Sequence, residues 1–193
     1  MIMTLNYDIR LLGYWHCGSG LSAGAEADSG VIKDADGLPF VPGKTIKGLL
    51  REAAMEMLNC KAIDDKLVKD VFGHAAPKED ARSYKKETRT YPGSARFSNA
   101  EIPSPEREEV KGLLTPYLYD IIASTCINPK TGTAESQTLR SIEVAVPVVL
   151  TGQIECTNEA EKQLLMDCMK WVRALGAHRN RGLGRCKFTI KSN

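Results

Sequence analysis

The chain has no cysteines close enough in sequence to form a metal knuckle. Cys17, Cys60, Cys126, Cys156, Cys168 and Cys186 are scattered without a CxxC or CxxxC pair, which argues against a structural zinc site. Cys168 and Cys186 instead fall on apolar faces and read as small core residues. There is no apolar run of membrane-spanning length, and the opening MIMTLNYDIR lacks the basic lead and apolar core of a secretion signal. A cytoplasmic protein with no membrane partner is expected. The net charge is only +2, so any attraction for a polyanion must come from clustered charge. Internal repeats and low-complexity tracts are also missing.

At 193 residues and 42% hydrophobic, the chain can bury one substantial core and is short for two. A single domain over 1–193 is expected, with insertions at about 59–95 and 103–142. The clustered charge lies in three places. Arg82, Lys85, Lys86, Arg89 and Arg96 form one group, and two motifs carry the others.

The first motif is DSGVIKDADGLPFVPGKTIKGLLR, from Asp28 to Arg51. Pro42 and Gly43 break an extended run, and Lys44 with Thr45 opens a helix whose free N–H groups favour an anion. At about 100° per residue, Lys44, Lys47 and Arg51 share one face while Ile46, Leu49, Leu50, Ala53 and Met57 share the other. Gly43-Lys44-Thr45 imitates the end of a nucleotide-binding P-loop. However, the required first glycine is replaced by Leu38, and Pro39 and Pro42 supply no N–H donors. Within DADG, Asp34 reads as a turn former and Gly37 as the residue that takes positive φ.

The second motif is GAHRNRGLGRCKF, Gly176 to Phe188. Gly176, Gly182 and Gly184 let backbone approach closely, and Arg179, Arg181 and Arg185 supply charge with no acid among them. Upstream, apolar positions at helical spacing and an Asn158/Glu161 capping pair predict a helix over 158–175, ended by Gly176. Alternation then predicts a closing strand over 185–190.

The remaining periodicities predict a first strand around Leu5–Leu11, a helix over 44–58 and a weak strand over 96–102. A stronger strand is expected over 144–156, at an edge or with a bulge because of Pro147. The order is β-α-β-β-α-β, an α+β, ferredoxin-like core. The last strand carries no RNP1 motif, so a standard RRM is not expected.

LPFVPGKTIKGLLR, the segment INPKTGTAESQTLRSIEVAVPVVLTGQI and RNRGLGR, in this order along the chain, together resemble the RAMP superfamily of CRISPR effector proteins. The likeness is to the backbone subunit of type III (Csm/Cmr-like) complexes. It implies binding to a CRISPR guide RNA and a complementary target RNA, further copies of the chain in a helical filament, and other type III effector subunits. It also implies a thumb-like β-hairpin with its tip at Thr133–Leu139, Leu139 as an apolar wedge, and Lys130 and Arg140 as flanking RNA contacts. By the same resemblance, Asp28 is the catalytic residue and metal ligand for cleavage of target RNA. Mg²⁺ or another divalent cation would be held only in the RNA-bound complex, with Glu26 as an accessory. Lys44, Thr45, Lys47, Arg51, His16, His178, Arg179, Arg181, Gly182 and Gly184 complete the expected RNA contacts. Lys44, where the family usually has a small hydroxyl residue, and Asn99, where an acid is frequent, depart from the pattern. Two alternatives stay open: a non-catalytic RNA coat, and a metal-independent guide-processing endoribonuclease using His16.

Overall fold

The computed structural model describes residues 2–20, 27–75 and 90–191. Glu26 and the basic residues Arg82, Lys85, Lys86 and Arg89 lie outside them. In chain order the elements are β1 (Met3–Leu11), α1 (Gly43–Asn59), α2 (Asp65–Phe72), β2 (His74–Ala75), β3 (Thr90–Tyr91) and β4 (Arg96–Phe97). There follow α3 (Ser104–Val110), β5 (Tyr119–Ser124), β6 (Arg140–Ala145), β7 (Val149–Cys156), α4 (Glu159–Trp171) and β8 (Cys186–Ile190).

The main sheet has the order β4-β7-β1-β8, with every neighbouring pair antiparallel. With α1 and α4 interposed, the chain runs β1-α1-β4-β7-α4-β8, the β-α-β-β-α-β order that the RAMP resemblance and the periodicities both imply. Strand alternation decides which face is buried. Leu5, Tyr7, Ile9 and Leu11 of β1 join Leu150 and Ile154 of β7 and Phe188 of β8 in the core. On α1 the apolar stripe Ile46, Leu49, Leu50, Ala53 and Met57 is buried, and α4 adds Leu164, Leu165, Cys168 and Met169. Both helices therefore cover one side of the sheet. The other side presents Asn6, Asp8, Arg10, Thr151, Gln153 and Lys187, which the register sets on one face. No aromatic ring stands on that face of β1, β7 or β8, so the base-stacking platform of an RRM is missing.

Some boundaries differ from expectation. The stretch 144–156 is not one strand. Residues 146–148, centred on Pro147, separate β6 from β7, and β6 pairs with β5 in its own two-stranded sheet. β7 then lies inside the main sheet, not at its edge. α4 ends at Trp171, not at residue 175, because Val172 is extended. Ala174 bridges Arg185, Leu175 N donates to Gly184 O at 2.9 Å, and Cys186 N donates to Arg173 O at 2.9 Å. Tertiary β pairing overrides a helical pattern here. The weak strand over 96–102 contracts to β4, with single bridges from Ala100 to Val41 and from Glu101 to Thr151.

The insertion 59–95 contains a helix the polar composition hid. Asp64 caps α2 by accepting from Lys66 N, and Val68, Val71 and Phe72 are buried, Phe72 stacking on Phe97 at 6.0 Å between centroids. No helix among the described residues is long and apolar enough to cross a membrane. The cysteines among them are free, Cys17, Cys156, Cys168 and Cys186 being buried.

Candidate nucleic-acid interface

The basic motifs sit side by side, and one buried histidine explains why. His16 is only 3% exposed. Its Nδ1 lies 2.6 Å from the carbonyl oxygen of Glu143 in β6, and its Nε2 lies 3.2 Å from Ser29 Oγ. A carbonyl can only accept, so Nδ1 carries the proton and, in the neutral ring, Nε2 accepts from Ser29. The His16 carbonyl in turn accepts from Ala177 N at 2.8 Å. One residue thus fastens the Asp28 segment, the foot of the β5–β6 hairpin and the glycine loop together. This arrangement argues against the expected RNA contact or catalyst at His16, since a ring enclosed and engaged at both nitrogens offers neither to a 2′-hydroxyl or phosphate.

The Asp28 segment runs along β6. Asp28 N donates to Ser141 O at 2.9 Å, and Asp28 Oδ2 accepts from Ser141 N at 2.8 Å. Ser29 bridges Ile142 in parallel, and Glu143 N donates to Ser29 O at 3.0 Å. The Glu143 carboxylate accepts from Val31 N at 2.9 Å and from Lys33 Nζ at 2.7 Å. Lys33 also sits 3.9 Å from the centre of the Tyr119 ring. Burial, together with the nearby charges of Glu143 and Asp34, pushes the Tyr119 hydroxyl well above the usual phenol range. Asp28 itself is exposed at the foot of the hairpin. Asp34 is structural, as DADG predicts. Its Oδ1 accepts from Asp36 N and Leu38 N, both at 2.9 Å, its Oδ2 accepts from Arg107 at 2.7 Å, and Gly37 takes φ +79°. Burial works to raise its pKa, but these N–H donors and Arg107 outweigh it and hold the carboxyl below its ordinary value.

α1 begins beside this assembly. Pro42 precedes it with no side-chain cap, and Asn99 of the strand region opposite accepts from Gly43 N at 3.0 Å instead. Cys17, next to His16, has Thr45 and Lys44 nearby, both of which favour its thiolate. Burial nevertheless dominates and raises the thiol pKa. Lys44 and Arg51 are exposed, while Lys47 and Thr45 are half-buried. The glycine loop closes against the same helix, because Arg179 forks onto Glu52 of α1 at 2.9 and 3.3 Å. The loop also lies along residues 12–17, with Gly184 N donating to Tyr14 O at 2.8 Å and Leu12 N to Arg185 O at 2.8 Å. Lys44, Arg51, Arg181 and Arg185 are therefore exposed cations on adjoining segments.

The glycines divide by role. A Cβ on Gly184 (φ +71°) would stand 1.8 Å from Leu175 O, and one on Gly176 would stand 2.3 Å from His16 O. These glycines serve backbone-to-backbone packing, and Gly184 is buried. Gly182 (φ +90°) has nothing within 4 Å of such a Cβ, so it is needed for its turn and leaves that side of the loop open. His178 is exposed and takes φ +56° before the 3-10 turn Arg179–Arg181.

The hairpin is closed further out than the sequence suggests. Ile127 bridges Ala134, and Asn128 N donates to Thr133 O at 2.9 Å, so the turn spans 128–133. Lys130 is at this apex. Leu139, 72% exposed, and Arg140, also exposed, stand on the shoulder where β6 begins. Thr133–Leu139 is thus the returning limb, not the tip.

The RAMP superfamily model matches residues 8–187. The chain belongs to the RAMP superfamily. Among solved structures, this RAMP protein is similar to a chain of the type III-B Cmr-beta cryo-EM structure bound to cognate target RNA. The TM-score is 0.70 and the identity 11%, with 97% of each chain covered. It is also similar to a chain of the Cmr-beta apo-state structure, with a TM-score of 0.72 and 11% identity over 99% of this chain and 98% of that one. No curated protein matches the sequence.

Sequence reasoning missed Ser141 and Glu143 of this RAMP chain, which hold the Asp28 segment. A half-buried acid alternating with Ile142 and Val144 was the available signal. It missed the capping role of Asn99 as well, because that partner lies 56 residues from Gly43.

Proposed function

We propose that this RAMP protein is a guide-RNA-binding backbone subunit of a type III CRISPR ribonucleoprotein effector. The observation that carries the reading is the clustering around His16 of the Asp28 segment, the hairpin foot and the glycine loop, with the basic face of α1 alongside. The exposed cations Lys44, Arg51, Arg181 and Arg185 would bind the guide backbone, while base pairing would read the target. The β5–β6 hairpin serves as the thumb, Lys130 and Arg140 contacting RNA and Leu139 separating bases at its shoulder. Copies repeat head to tail along the guide.

Asp28, exposed at the hairpin foot, is the residue assigned in this reading to act on target RNA. Among the described residues no cluster of three or more His, Cys, Asp or Glu side chains could hold a metal ion. A lone exposed carboxylate suits Mg²⁺ only in its common mode, with one or two carboxylates, retained waters and substrate phosphate oxygens as ligands. Such an ion would stabilise charge developing on the scissile phosphate. The chain's own part is to present the Asp28 carboxylate from a segment pinned by Ser141 and Glu143. A non-cleaving coat would use the same interface for the guide backbone. The His16 processing reading is disfavoured by the enclosure of its ring.

The deciding experiment incubates the assembled complex with complementary RNA, with and without Mg²⁺. Regularly spaced products that vanish in Asp28→Ala support the cleaving subunit, whereas binding without products supports the coat. Cutting of guide precursor in EDTA by the isolated chain would contradict both.

A further inference from the structure

Beside the glycine loop is a second feature that this RNA reading does not use. An open pocket of about 640 Å³ lies between α1 and the segment after α4, lined among others by Glu52, Glu56, Trp171, Arg173, Arg179 and Asn180. It exists because α4 stops at Trp171. Had the helix continued to residue 175, as its spacing predicts, 172–175 would not turn away to pair with 184–186. The early stop leaves Trp171 on the last turn, 47% exposed at the pocket.

Its walls are fixed. The Trp171 Nε1 donates to Glu56, and Arg179 is held by both oxygens of Glu52. A half-exposed indole with its N–H already tied down offers a ring face at little conformational cost. The charge distribution selects the occupant. Glu52 and Glu56 on the α1 wall repel a phosphate and keep a strand's backbone outside, where the exposed Arg181 and Arg185 of the glycine loop can meet it, Arg179 being held by Glu52. Arg179 and Asn180 belong to both the pocket and the glycine loop, so a strand bound along that loop passes its mouth.

We propose that this pocket takes an unpaired base of single-stranded RNA, stacked on Trp171, with the strand's phosphates against the glycine-loop arginines. The proposal rests on the RNA-binding reading above and adds a base site to its backbone contacts. Stacking of this kind is tolerant of sequence and contributes roughly 5- to 150-fold in affinity per base.

The chain reports on the site itself. Trp15 is fully buried and Trp171 is not, and these are the protein's tryptophans. RNA-induced quenching therefore reads Trp171. The purified chain is titrated at low salt with oligo(rA), and with an abasic ribose-phosphate strand of the same length, while anisotropy of labelled RNA measures binding separately. Quenching by oligo(rA) but not by the abasic strand is expected, with affinity for oligo(rA) falling about tenfold in Trp171→Ala and far less in Trp171→Phe. Binding without quenching, or equal quenching by the abasic strand, overturns the base site and leaves the RNA reading standing. Absence of RNA binding overturns both.

Discussion

Glu143→Ala is the substitution that should most clearly separate the hairpin-docked Asp28 segment from an ordinary surface loop. The Glu143 side chain is 13% exposed and faces Val31 N at 2.9 Å and Lys33 Nζ at 2.7 Å. Val31 is 4% exposed, so deleting the carboxylate leaves an enclosed amide unpaired, at a cost of about 1–3 kcal/mol. The Lys33 pair is partly solvated and adds less than about 1 kcal/mol. Together these predict a loss of about 1–4 kcal/mol. Glu143→Gln keeps an acceptor for Val31 N and gives up only the charge, so it should cost under about 1 kcal/mol. Urea unfolding of the three proteins measures the totals, and hydrogen exchange at Val31 and Ile32 measures the local effect. Equal stability of the Ala and Gln variants, or unchanged protection at Val31 in Glu143→Ala, would refute the idea that this carboxylate holds the segment.

Other consequences are equally concrete. Asn99→Ala removes the side-chain acceptor of Gly43 N and should destabilise the protein by about 1 kcal/mol in urea unfolding. Gly182→Ala meets only its positive φ and should lower the melting temperature by about 2–4 °C, whereas Gly184→Ala drives a Cβ into Leu175 O and should lower it by ~10 °C or prevent folding. Glu161 is buried, which alone would raise its pKa. The Thr157 N–H, Ser94 and Asn158 bonds outweigh this and lower it, and Asp34 is lowered likewise. Carboxyls that titrate lower in the folded state stabilise fully above about pH 5, and lose that contribution as pH falls below about 4. In Glu161→Gln the unfolding midpoint should therefore change less between pH 5 and pH 3 than in the wild type. An unchanged slope would count against the pairing.

Core strands and helices were legible because their periodicity is strong. Leu5-Tyr7-Ile9-Leu11 alternates, the α1 stripe repeats at helical spacing, and the Asn158/Glu161 cap appears as written, with Glu161 N donating to Asn158 Oδ1 at 2.9 Å. What stayed hidden depends on partners distant in sequence. Residues 172–175 carry a helical pattern, but pairing with 184–186 claims them. The run 144–156 has uniform β propensity, and only its two different partners, β5 and β1, reveal a break around Pro147. At the candidate site the basic motifs were visible as composition. The burial of His16 was not, because a histidine in WHCGSG carries no sign that its ring will be enclosed by Glu143 and Ser29 from elsewhere in the chain.

The central claim is that the α1 face and the glycine loop form one RNA-binding surface. The salt dependence of single-stranded RNA affinity tests it most directly in the wild type, Lys44→Ala, Arg181→Ala and the double variant. If both cations neutralise phosphates of one bound strand, each single substitution lowers the slope of log K against log salt by about 0.7 and the double by about 1.4. A slope that responds to only one of the substitutions, or to neither, would contradict the account.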